Sequence, residues 1–193
     1  MPRLHARHLP NLITGLRLLL VPPILWLLGR QQHGAALTLF VIAGVSDALD
    51  GALARGFHWQ SRLGGILDPI ADKALLAGCF LVLGINGELP SWLVVLVIGR
   101  DLVIVAGATA WHWLIDELHA APSLLSKLNT AAQLAVVFAV LLAHGATPLP
   151  DWLLRLLEWT AAFTTLWSGA DYVLRWGRRA RRLARGEQVR DGR

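Results

Sequence analysis

The chain reads as an all-α integral membrane protein built as a bundle of six transmembrane helices, and three observations lead there. Hydrophobic residues fill 55% of its 193 positions, charged residues only 16%, and the mean hydropathy is +0.52, more than a soluble domain of this size ordinarily carries. Six apolar stretches come near the ~20 residues that a helix needs to cross a bilayer. The chain also holds nine tryptophans, and Trp26, Trp92, Trp111, Trp113, Trp152 and Trp176 fall near the ends of those stretches, where an interfacial belt belongs.

The first stretch, residues 11–28, contains Arg17 and the Pro22-Pro23 pair. Two prolines bend a helix without ending it where neighbouring helices cover the freed carbonyls. This stretch is expected to be retained and not cleaved as a signal peptide, because no small-residue cleavage site follows it and five more spans do. The second covers residues 35–55, the third 67–85 and the fourth 91–114. Residues 126–143 form the fifth and residues 152–174 the last. Short turns join them, several marked by Gly or Pro: Asn86-Gly87 with Pro90, Pro122, and Pro148 with Pro150. The spans make one domain, residues 1–175, and a basic tail follows at residues 176–193. Single Cys79, in the middle of a span, acts as a small apolar residue and excludes a disulfide within one chain.

Orientation follows from the cations. Arg3 and Arg7 precede the first span, Arg55 and Arg62 separate the second from the third, and Lys127 opens the fifth, all on one side. The eight arginines from Arg175 to Arg193 join that side when the number of spans is even, whereas the opposite loops offer mainly Arg30, Glu88 and Asp151. Both termini are therefore expected in the cytoplasm, with an inner bacterial membrane favoured by the lack of a cleavable targeting segment. The acidic pair Asp116-Glu117 blurs this count but contributes little to the rule. A net charge of +5 and a pI near 10.6 could signal nucleic acid, yet no recognition fold accompanies them. Attraction of ~1 kcal/mol per basic residue near anionic headgroups makes membrane lipids the expected partner of the tail.

Asp47 and Asp50 close the second span and Asp68 and Asp72 open the third, so this topology sets all four near one membrane face. On a helix turning ~100° per residue, Asp47, Asp50, Gly51 and Ala54 share an arc of roughly 100°, with Leu49 and Leu53 opposite. Asp68 and Asp72, four apart, also share a face. Small residues in the stripe let a ring or a phosphate approach the backbone. Carboxylates in an apolar segment carry an electrostatic cost and mark functional sites. Four that converge repel one another unless they are protonated or neutralised by cations. All-oxygen ligation suits Mg²⁺, Mn²⁺ or Ca²⁺ and not zinc, and a pair of such ions suits displacement at phosphorus, one oxygen attacking as another leaves. The carboxyl end of the second helix favours cations, and the amino end of the third favours phosphate.

The pattern D-x-x-D-G-x-x-A-R, eight residues, then G-x-x-x-D-x-x-x-D is filled by Asp47, Asp50, Gly51, Ala54, Arg55, Gly64, Asp68 and Asp72, and it resembles the signature of the CDP-alcohol phosphatidyltransferases. The likeness covers nearly all of residues 1–175, through six spans and an opening Pro10-Asn11-x-x-Thr14-x-x-Arg17. It implies that family's six-helix fold and a reaction dependent on Mg²⁺ or Mn²⁺, with two ions. In that reaction an acceptor hydroxyl attacks the lipid-bearing phosphorus of CDP-diacylglycerol and CMP leaves. By the same resemblance Asp47, Asp50 and Asp68 are the main metal ligands, while Asp72 joins the metal site and is the base that takes the acceptor's proton. Gly51, Ala54 and Gly64 would border the cytidine and diphosphate. Arg55 is a cation suited to phosphate, although at the edge of the stripe it can equally pair with an aspartate. A homodimer is also implied by the resemblance.

Two narrower likenesses bear on the acceptor. Ser126-Lys127-Leu128-Asn129-Thr130, Gln133 and the run from Thr160 to Thr165 are similar to cardiolipin synthases of the eukaryotic type, whose acceptor is phosphatidylglycerol. Asn11, Thr14 and Arg17, with the run Asp68-Pro69-Ile70-Ala71-Asp72-Lys73, are similar to phosphatidylglycerophosphate synthases, whose acceptor is glycerol 3-phosphate. In that subgroup a second basic residue stands near the place of Asn129 here. The reading leans to phosphatidylglycerol, with glycerol 3-phosphate as the alternative. Lys73, Arg100 and Lys127 are candidates for an acceptor phosphate; against them stand neutralisation of Asp101 by Arg100 and snorkelling of Lys127 at a membrane boundary. Asp171 reads as a bundle-interior or boundary charge, and the seven histidines are too scattered for a metal site. The competing class is a divalent-cation transporter, disfavoured because its charges belong near the midplane, often within internal repeats. A catalytically silent scaffold would carry the cost of the complete aspartate set without benefit.

Overall fold

The computed structural model describes residues 9–57, 64–114 and 124–184. Its elements are six helices: α1 (Leu9–Gly29), α2 (His33–Phe57), α3 (Gly64–Ile85), α4 (Ser91–Leu114), α5 (Leu124–Gly145) and α6 (Asp151–Ala184). Each forms where a run rich in Leu, Ala and Val combines helix propensity with no strand-like alternation. Pro22 and Pro23 lie inside an unbroken α1, although neither can return a hydrogen bond to the carbonyl four residues before it.

Local chemistry sets the helix ends. After α1, the N–H of Gln32 donates to Leu27 O and that of Gln31 to Leu28 O, each at 2.9 Å. This Schellman arrangement needs one left-handed residue, and Gln31 supplies it at φ 56°. After α3 the pattern recurs with Gly87 at φ 77°, and the N–H of Glu88 reaches Leu83 O at 2.9 Å. Pro90 and Pro150 stand just ahead of α4 and α6, where their carbonyls accept from Leu93 and Leu153, each at 2.9 Å.

α1 packs against α2 and α3, α2 also against α5, and α3 also against α4 and α5; α6 completes the bundle against α4 and α5. Ile24, Leu28, Phe80, Leu83, Leu93, Val137 and Leu141 form its fully buried centre. The backbones of α2 and α5 come close at Gly34 and Gly145, where a Cβ added to Gly145 would lie 2.6 Å from Gly34 N and 2.7 Å from His33 C. Only glycine permits that contact.

Polarity is inverted relative to a water-soluble bundle. Arg17, Asn129, Gln133, Thr165 and Ser168 are buried, while Leu19, Ile85, Val95, Leu102, Trp159 and Phe163 face outward. Outward apolar area on this scale marks a surface meant for lipid or a partner. Among the described residues, α5 is a helix long and apolar enough to cross a membrane; Arg17–Gly29 and His33–Asp47 are shorter apolar stretches.

The six helices fall where the apolar runs predict, a few residues longer at most ends. The exception is α6, which continues past residue 174 to Ala184, because its arginines and alanines are themselves strong helix formers. The start of the basic tail is thus a helical extension. Arg3, His5, Arg7, His8, His58, Arg62, Asp116, Glu117, His119 and Pro122 lie outside the described residues, as does the tail beyond Ala184.

Candidate metal and substrate site

Aspartate is a poor helix former in a helix interior, so Asp47 within α2 and Asp72 within α3 need a reason to be there. Arg17 of α1 supplies one. Its Nη1 donates to Asp72 Oδ1 at 2.6 Å and its Nη2 donates to Asp47 Oδ1. Arg17 is only 2% exposed, whereas the side chains of Asp47 and Asp72 are 47% and 46% exposed. A guanidinium this deep must be compensated by hydrogen-bonded anions, and the two it meets among the described residues belong to helices α2 and α3, against which α1 packs. The first and last aspartates of the signature, 25 positions apart in sequence, therefore meet on one cation.

The other signature residues are placed by backbone alone. Asp50, Gly51, Ala54 and Arg55 continue α2, and Gly64 and Asp68 stand in the opening of α3; their side chains lie outside the described residues. Among the described residues no group of three or more potential metal ligands occurs, since only Asp47 and Asp72 of the four aspartates contribute side chains. What those two show fits a divalent ion: the donor set is carboxylate oxygen, which suits Mg²⁺ or Mn²⁺, both groups are open to solvent, and a positive group already sits between them. Among the described residues, the two carboxylates and one guanidinium leave a net negative charge.

The candidates for the acceptor lie apart from one another. Lys73 follows Asp72 on α3, half-buried, and makes no ion pair with another described residue. Arg100 of α4 donates to Asp101 Oδ1 at 2.7 Å, but its other terminal nitrogen reaches Ser168 Oγ of α6 at 2.6 Å and Ser126 Oγ of α5 at 3.4 Å. It thus neutralises its neighbour and also ties three helices together. Lys127 is exposed on α5. Between α5 and α6 runs a neutral buried ladder: the hydroxyls of Thr164 and Thr165 donate to Asn129 Oδ1 at 3.2 and 2.8 Å, and Gln133 Nε2 lies 3.5 Å from Thr165 Oγ1. Asn129 Nδ2 has no hydrogen-bond partner among the described residues. Asp171 accepts from Arg175 Nε at 2.7 Å, one turn on, so it is a paired boundary charge.

Sequence reasoning left two pairings unread. Arg17 is legible in the sequence as a charge inside the first apolar stretch and as part of the opening motif, without a partner assigned, although an arginine in an apolar helix must find anions and the four aspartates are the obvious supply. His33 Nε2 donates to both oxygens of Glu88 at 2.8 and 2.9 Å, and its ring lies 5.3 Å from that of His144. No spacing signals a pair 55 residues apart.

The sequence pattern described as CDP-alcohol phosphatidyltransferase matches residues 7–167. A rice chloroplastic CDP-diacylglycerol–glycerol-3-phosphate 3-phosphatidyltransferase is 34% identical over 88% of this chain and 57% of its own length. A rat cardiolipin synthase (CMP-forming) is 30% identical over 93% of this chain and 64% of its own, and a probable phosphatidylglycerophosphate synthase of Mycobacterium tuberculosis is 33% identical over 90% and 83%. The chain thus spans less than two thirds of the rice and rat relatives. The matched region contains α2, the opening of α3 and every position of the aspartate signature, and so the chain belongs to the CDP-alcohol phosphatidyltransferase family.

Proposed function

We propose that this protein transfers a phosphatidyl group from CDP-diacylglycerol to a glycerol-type alcohol and releases CMP, in phospholipid synthesis at a membrane. The observation that carries this reading is the meeting of Asp47 and Asp72 from two helices at one open, negatively charged site. The relatives named for transfer to glycerol 3-phosphate and for cardiolipin synthesis support it. Asp47, Asp50, Asp68 and Asp72 would hold two Mg²⁺ or Mn²⁺ ions, which when bound supply charge neutralisation at the diphosphate. Gly51, Ala54 and Gly64 would border the cytidine and diphosphate, and Arg55 would offer a cation to the phosphates or pair with an aspartate.

In the transfer the acceptor's hydroxyl oxygen forms a bond to the lipid-bearing phosphorus, the bond from that phosphorus to the CMP oxygen breaks, and CMP departs with the electron pair. Asp72 takes the hydroxyl proton. Its carboxylate is half-exposed, so an acceptor can reach it, and Arg17 fixes its orientation through Oδ1. A base held in one orientation contributes about 10² to 10⁴ in rate.

For the acceptor we favour phosphatidylglycerol. Asn129 sits in a neutral ladder with Thr164 and Thr165, and a site lacking a second cation there suits a hydroxyl-bearing headgroup better than a dianionic phosphate. Glycerol 3-phosphate is the second reading, favoured by Arg100, whose guanidinium reaches between α4, α5 and α6. All six helices are read as spans of a bacterial inner membrane, with the termini and the aspartates on the cytoplasmic side, where a water-soluble nucleotide meets a lipid tail. The working unit is read as a homodimer.

The test is CMP release by detergent-purified protein given CDP-diacylglycerol and Mg²⁺, with phosphatidylglycerol and glycerol 3-phosphate supplied separately. Release that requires phosphatidylglycerol is the expected result, and release that requires glycerol 3-phosphate selects the second reading. Chelation with EDTA should abolish either. Silence with both acceptors overturns the proposal as written, and metal-dependent cation flux in vesicles would favour a transporter instead.

A further inference from the structure

Arg17 and a divalent ion have the same claim on the same anions. The guanidinium is almost wholly buried, with one terminal nitrogen on Asp72 Oδ1 at 2.6 Å and the other on Asp47 Oδ1. Its partners are each about half-exposed and open to solutes. Like charges drawn to one pair of carboxylates oppose each other, so full possession by the guanidinium and full ligation of metal are in competition. We propose that Arg17 is the resident counter-cation of the aspartate site: without divalent metal it holds α2 and α3 together through their carboxylates, and on metal loading it gives up at least one of them.

Two consequences separate this role from simple packing. Removing the positive charge must tighten metal binding, because a competitor is gone, whereas loss of a merely structural contact would loosen it or leave it unchanged. The same change must also make the fold depend on metal, because two half-exposed carboxylates then face each other uncompensated. The inference rests on the metal reading of the aspartates proposed above.

The experiment compares wild-type protein with Arg17→Gln and Arg17→Lys, purified with Mn²⁺ and then stripped by a chelator. Mn²⁺ uptake is followed by electron paramagnetic resonance and thermal unfolding by intrinsic tryptophan fluorescence. Arg17→Gln is expected to bind Mn²⁺ about ten-fold tighter than wild type, the loss of one charged hydrogen-bonded competitor, and to show the larger Mn²⁺-induced rise in unfolding midpoint. Arg17→Lys, which keeps the charge without the two-pronged geometry, should fall between. Should Arg17→Gln unfold on stripping, the Mn²⁺ concentration that half-restores its fold supplies the affinity. Binding by wild type with equal or weaker binding by Arg17→Gln, or a stability loss that Mn²⁺ does not reverse, overturns the role of Arg17 and leaves the metal reading standing. Absence of Mn²⁺ uptake by all three proteins overturns both.

Discussion

At one end of the bundle a single guanidinium stands between two carboxylates; at the other a single carboxylate is matched by a single imidazole. Arg17, Asp47 and Asp72 form the first group, in which, among the described residues, the anions outnumber the cation and are about half-exposed. His33 and Glu88 form the second, in which both side chains are only 9% exposed and the imidazole meets both carboxylate oxygens. Asn86 adds a bond from its Nδ2 to Leu28 O at 3.0 Å, and the backbones of α2 and α5 touch nearby at Gly34 and Gly145. Fourteen residues of α2, about 21 Å at 1.5 Å per residue, separate His33 from Asp47. The contrast is physical: among the described residues the aspartate end keeps more anions than cations and stays open to solvent, whereas the His33 end pairs its imidazole with a carboxylate and closes over both.

That division can be broken most severely at the aspartate end. Asp72→Asn should lower transferase activity by about 10² or more, the contribution of a positioned base, with the unfolding midpoint changed far less than the rate; full activity in this variant would remove Asp72 from the role of base. The anchoring end should show the reverse. Gly145→Ala drives a methyl against the backbone of His33 and Gly34, and rigid overpacking of this kind costs up to ~3 kcal/mol. A lowered midpoint with unchanged turnover per folded molecule is expected, and loss of Mn²⁺ binding would mean that the two ends are not independent.

Glu88→Ala should be milder, about 1 to 2 kcal/mol for a buried His33 donor left without its acceptor, again with the metal response intact. Smallest is Gln31→Gly. Gln31 holds a left-handed conformation at φ 56°, and glycine relieves that strain while adding disorder to the unfolded chain. A gain below about 1 kcal/mol is expected, visible as a slightly raised midpoint; a clear loss would mean that the Gln31 side chain contributes something beyond its backbone angle.

Much of this molecule was legible before any coordinates. Apolar run length located all six helices, since long runs of apolar helix-forming residues need little more than composition and length to be recognised. Gly87, Pro90 and Pro150 marked turns for reasons of φ and of missing donors, and they stand at helix ends. The last helix was underestimated because hydropathy ends at residue 174 while helix propensity does not, so α6 runs on to Ala184. Arg100 could be read only as function or neutralisation of Asp101; packing added Ser168 and Ser126, contacts 68 and 26 residues away.

By itself, then, the sequence located the helices and singled out the four aspartates of the signature, because periodicity and charge in apolar segments are local properties. The tertiary structure decided which cation answers which anion. Arg17 reaches Asp47 and Asp72 from 30 and 55 residues away, and His33 reaches Glu88 across 55. Such pairs are settled by how α1, α2 and α3 pack, and the strength of an ion pair depends on burial and competing ligands, which no spacing along the chain encodes.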